Sequence, residues 1–161
     1  MSREESEAER LDRNFDDLLQ ELRVSQNGTQ ILFAFLLTVP FSNGFQKVSG
    51  FQRGIYFTAL LLSGLSAAML IAPAVMHRIL FRAGLKKELV ETATRVTLGG
   101  QTLLIGAVAA SVFLIGDYLY GFVTGLVLAL GMGAYWSIWF FVLPLHIRQH
   151  HRARDRSNSS T

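Results

Sequence analysis

The sequence predicts an all-α fold: an integral membrane four-helix bundle preceded by a cytoplasmic amphipathic helix. Three observations carry that reading. The chain has 161 residues, 50% of them apolar and only 17% charged, whereas a soluble domain averages roughly 25% charged. The charges are segregated, with polar ends (1–25 and 148–161) around long apolar blocks. Finally, Lys and Arg fall almost entirely on alternate connections between those blocks.

The first element is residues 1–25, with eight acids against four arginines. Leu11, Phe15, Leu18 and Leu22 recur at spacings of four, three and four, one stripe of a helix. Two readings stand: a helix packed on the cytoplasmic face of its own chain, or a seam for self-association or a partner. The acidity disfavours lying on anionic lipid. No short apolar core with a small-residue cleavage site is present, so the first span is expected to serve as an uncleaved targeting signal.

Residues 26–147 form the transmembrane domain, with spans at about 28–45, 55–76, 96–115 and 121–145. A span takes about 20 residues. The first has a short apolar core, Gly28–Ser42, and is extended to Phe45; the fourth is slightly long, which tilt absorbs. In hydrocarbon each block must satisfy its own backbone, so each is a helix. Pro40, Pro73 and Pro144 lie near span ends. Gly84 is expected as a helix C′ residue in the middle connection, and "GDYLYG" as a tight turn. Small residues four apart (Gly64 with Ala68, Gly106 with Ala110, Gly121 with Gly125, Ala129 with Gly133) mark close-packing faces. Tyr118 and Tyr120 suit an interface belt, whereas Tyr135, Trp136 and Trp139 are expected to pack. Residues 148–161 read as a basic, disordered cytoplasmic tail.

Thirteen of the 15 Lys and Arg lie in the N-terminal segment, the middle connection and the tail; only Lys47 and Arg53 lie in the other two connections. Both termini are therefore expected in the cytoplasm.

A shift of 71 residues aligns Gly28 with Gly99, Gln30 with Gln101, Phe51 with Phe122, Gly54 with Gly125, Ser66 with Ser137 and Pro73 with Pro144. Composition alone is one explanation. The other is a duplication, giving two parallel two-span repeats related by an axis along the membrane normal. On that reading Gln30 and Gln101 are matched amides at the cytoplasmic ends of spans one and three. They are candidates for interhelical hydrogen bonds.

The stretches "LLQELRVSQNGTQILFAFLLTVPF" and "IAPAVMHRILFRAGLKKELV" resemble a family of small four-span bacterial membrane proteins of unknown function, some members of which carry a sodium:proton antiporter label. The resemblance covers roughly residues 12–145 and implies a multi-pass protein of the bacterial cytoplasmic membrane. It brings no active site. The antiporter label fails on the residues, because proton coupling needs a carboxylate within the membrane and the four blocks hold no Asp or Glu.

No catalytic constellation, cofactor motif or cysteine is present. His77 and His146 are weak interfacial candidates; His146 and His150 share a helix face but have no carboxylate beside them except Asp155. No metal is expected. The basic tail sits just inside a span, so its partner is anionic lipid headgroups and not nucleic acid. The expected partners are the bilayer and further copies of the chain. The function expected is a non-enzymatic structural or accessory membrane protein that self-associates. The alternative is a small channel or transporter for a neutral solute or ion, with Gln30 and Gln101 near the path.

Overall fold

In the computed structural model, residues 7–80 and 86–142 are described. Four helices follow in order: α1 (Glu7–Thr38), α2 (Gly50–Leu80), α3 (Lys86–Tyr120) and α4 (Phe122–Ser137). Two 3-10 turns, Val39–Phe41 and Phe45–Lys47, join α1 to α2, and a π-helical segment, Ile138–Val142, continues α4. The chain is all-α, and no strand occurs among the described residues. Three helical stretches are long and apolar enough to cross a membrane: Gly50–Arg78, Glu88–Tyr120 and Phe122–Phe140. The apolar part of α1, from Gly28 to Thr38, covers roughly half of a ~20-residue span.

The helices differ from the expected segments in where they stop. The amphipathic segment and the first span are one 32-residue helix with no break at residue 25. Its α-helical hydrogen bonding ends at Pro40, which has no N–H to donate, and the chain tightens into the 3-10 turn Val39–Phe41. α2 begins with a reciprocal cap: the Gln52 backbone N–H donates to Ser49 Oγ (3.2 Å), and the Ser49 N–H donates to Gln52 Oε1 (2.9 Å). The expected turn at 116–121 is instead helix up to Tyr120, because one residue suffices to reverse the chain. Gly121 supplies it with φ +91°, a conformation open to glycine. Gly84, His146, His150 and the basic tail lie outside the described residues.

The chain divides into two units, residues 1–107 and 108–161, with α3 contributing to each. In the first, α1 and α2 run antiparallel in a register fixed by named contacts. Phe15 stacks on His77 (centroids 4.8 Å apart), Gln26 reaches Leu70, the Phe33 ring covers Gly64, and the Tyr56 hydroxyl donates to the Leu36 carbonyl (2.9 Å). Phe15, Leu89 and Ala93 form a buried cluster, with Leu18, Leu19, Met76 and Val90 packed against it. The apolar stripe read in the N-terminal segment is thus buried in its own chain, through Phe15 and Leu22; the Leu11 side chain is outside the described set. The Ser66 hydroxyl donates to the Gly100 carbonyl (2.7 Å), tying α2 to α3.

In the second unit the last turns of α3 meet the start of α4 nearly backbone to backbone. A Cβ on Gly116 would lie 2.7 Å from Gly125 Cα, and one on Gly125 2.7 Å from the Asp117 nitrogen. Phe113 and Phe122 close the contact edge to face. Of the small residues singled out from sequence, Gly64, Gly106, Gly125 and Gly133 each face a neighbouring helix, while Ala68 is exposed. Tyr118 and Tyr120 are exposed. Tyr135 and Trp139 were expected to pack; both are exposed and meet each other at 6.3 Å.

Candidate functional site

A cleft of about 170 Å³ opens between α1 and the first part of α3. Leu18, Glu21 and Leu22 line it from α1; Thr94, Thr97, Leu98 and Gln101 line it from α3. These residues converge because of helical spacing. Leu18, packed against the buried cluster, and Leu22 lie one turn apart, and Thr94, Thr97, Leu98 and Gln101 share a face of α3 because residues three and four apart lie one above the other.

The chemistry of the lining is set by its donors. The Thr94 hydroxyl donates to the Val90 carbonyl and the Thr97 hydroxyl to the Ala93 carbonyl, both at 2.8 Å. Each hydroxyl has one proton, so what remains is an acceptor. An ionised Glu21 adds acceptors only, and the Gln101 amide is the lining side chain with protons still to give. The cleft therefore offers a mostly accepting surface between leucines, suited to a small donor-rich group. It holds no nucleophile–base pair. Among the described residues no group of three or more His, Asp or Glu side chains could hold a metal ion.

The two matched amides are in different surroundings. Gln101 is half-buried in the cleft, whereas Gln30 is exposed on α1 and is not part of the lining. Gln30 lies part-way along α1, opposite the middle of α2. Gln26 contacts Leu70 and Phe33 contacts Gly64, so Gln30 is level with about Ser66–Ala67 of α2, halfway between Arg53 and Arg78. His77 is half-buried against Phe15 at the other end of the α1–α2 pair.

The amide that does join two helices on this stretch of α1 is that of Gln26, whose Nε2 donates to the Leu70 carbonyl at 2.7 Å. That carbonyl is next to the one, of Met69, that Pro73 deprives of its helical donor. The signal for Gln26 was present in the sequence: it lies four residues beyond Leu22 on the stripe, and an amide continuing an apolar face needs a partner. Thr29, fully buried on the same face, satisfies its hydroxyl on the Ser25 carbonyl.

A family model described as "Family of unknown function (DUF6328)" matches residues 4–144. No curated protein and no solved structure matches the chain.

Proposed function

The chain belongs to the DUF6328 family of unknown function, and from that premise we propose a four-span protein of the bacterial cytoplasmic membrane, with both termini inside and a non-enzymatic, structural role as a self-associating scaffold. The observation that carries the reading is the register of α1 on α2. α2 is charge-free between Arg53 and His77, a stretch close to the thickness of a bilayer core. α1 accompanies it from Phe15 beside His77 to Leu36 beside Tyr56. If α2 crosses, α1 crosses with it, although half of α1 is polar. The even span count and the 13-to-2 Lys/Arg asymmetry then put both ends inside. Arg78 and the tail arginines meet anionic headgroups there.

A solute path lined by both Gln30 and Gln101 is the weaker reading, because the cleft at Gln101 does not include Gln30.

The native chain has no cysteine, so single cysteines report topology directly. With an impermeant thiol reagent on intact cells, Asn43→Cys, in the exposed α1–α2 connection, labels; Gly84→Cys and Ser157→Cys do not. Labelling of Gly84→Cys from outside would overturn the four-span topology.

A further inference from the structure

α1 has two faces, and among the described residues one of them is packed. Phe15, Leu22, Thr29 and Leu36, seven residues apart, are buried. On the other side Gln20, Val24, Asn27, Ile31, Ala34 and Thr38 are all exposed. Their spacings are four, three, four, three and four, the alternation of a left-handed helix pair. Val24 is 76% and Ile31 58% exposed.

The depth of this face limits what can cover it. By the register on α2, Asn27 is about level with Leu70, and Gln30, at the flank, is near the middle of the charge-free stretch. Lipid tails neither donate nor accept hydrogen bonds, so amides turned toward them lose what water would give. The covering surface must bring donors and acceptors to the same depth.

We infer that this face is the contact between two copies of the chain, related by a two-fold axis along the membrane normal. The inference rests on the four-span reading above. Copies inserted the same way and paired by such an axis bring identical residues to identical depths. An amide both donates and accepts, so Asn27 meets its own partner in the second copy, and Gln20 and Gln30 lie at matching depths. Val24 and Ile31 pack as β-branched residues between the amides. The flanks are also complementary: Glu21 lies on one side of the seam and Arg23 on the other, so the two-fold brings each Arg23 to the side of the other copy's Glu21.

The test is oxidative crosslinking of single-cysteine, full-length protein in native membranes, paired with labelling by a water-soluble thiol reagent applied to inverted vesicles. Val24→Cys and Asn27→Cys shift to twice the monomer mass, while Thr29→Cys, on the buried face, stays monomeric. Asn27→Leu weakens dimerisation by about 3- to 30-fold, the worth of one membrane amide contact. Ile31→Cys repeats the measurement if Asn27→Cys does not accumulate. Cysteines at 24, 27 and 31 that are shielded from the reagent and give no dimer would overturn the seam and leave the four-span reading standing. Dimer formed equally at residue 29 would overturn it too. Reagent reaching residue 31 would overturn the four-span reading itself.

Discussion

The two helix pairs of this chain are held by different physics. α1 and α2 meet through side chains: the Gln26 amide on the Leu70 carbonyl, the Tyr56 hydroxyl on the Leu36 carbonyl, the Phe33 ring over Gly64. The end of α3 and the start of α4 meet through the absence of side chains, with Gly116 and Gly125 in backbone contact. In a bilayer no hydrophobic force drives helices together, so directed hydrogen bonds and close van der Waals approach are the two available glues. One chain uses both, and they fail differently. A hydrogen bond can be lost with the helices still in place; a glycine contact cannot accept even one methyl group without the helices parting.

The largest effect is therefore expected at Gly125→Ala. The new Cβ would lie 2.7 Å from the Asp117 nitrogen and 2.8 Å from the Phe113 carbonyl oxygen, and backbone cannot step aside as a side chain does. Overpacking of this kind costs about 1–3 kcal/mol, and this site belongs at the upper end. Unfolding in mixed detergent micelles, followed by helical circular dichroism, measures it. Stability equal to the parent would mean the backbones do not touch.

Next comes Gln26→Leu. It keeps the volume and removes the donor to Leu70, so the expected loss is about 0.6–2 kcal/mol, the range of interhelical polar contacts in membranes. In the same titration Gln30→Leu should leave the isolated chain's stability nearly unchanged, because Gln30 is exposed and absent from the α1–α2 contact. The reverse ranking would mean that the amide singled out by the repeat, and not the one on the stripe, joins the helices.

That pair of residues shows how far the sequence could be read. The helical type of the elements and the three long apolar helices were legible because apolar blocks and their Pro and Gly punctuation are local signals. The continuity of α1 was not. Composition changes sharply near residue 25, yet a helix needs only acceptable backbone, and Asn27 and Gly28 cost it no more than about 1 kcal/mol each. On the proposed topology a continuous α1 follows α2, and the register then sets Gln30 opposite the middle of the charge-free stretch of α2 and not opposite its end. The heptad stripe through Phe15 and Leu22 was legible as a seam; which surface it met was not, because that depends on α3 folding back to bring Leu89 and Ala93 against it. The cleft was half legible: Gln101 stood out, but Thr94 and Thr97 gain meaning only when Glu21 faces them across α1.

The smallest effect, and the sharpest check on the comparison, is Gly54→Ala. Gly54 is the residue that a 71-position shift places on Gly125, and faithful repeats would give both the same crowding. They do not have it: nothing lies within 4 Å of a Cβ built on Gly54, and its carbonyl already accepts from the Thr58 hydroxyl at 2.9 Å. Alanine there meets open space and gains helix propensity, so the expected change is a stabilisation of about 0–1 kcal/mol. α1 ends at Thr38, just before Pro40, while α3 runs on through Ser111, the residue that a 71-position shift places on Pro40, so the two pairs turn at different points of the sequence repeat and their glycines meet different neighbours. A loss at Gly54 comparable to that at Gly125 would reverse this. It would mean that a surface outside the chain presses on the start of α2 as closely as α3 presses on α4, and the two halves would then be equivalent in the membrane although they are not within one chain.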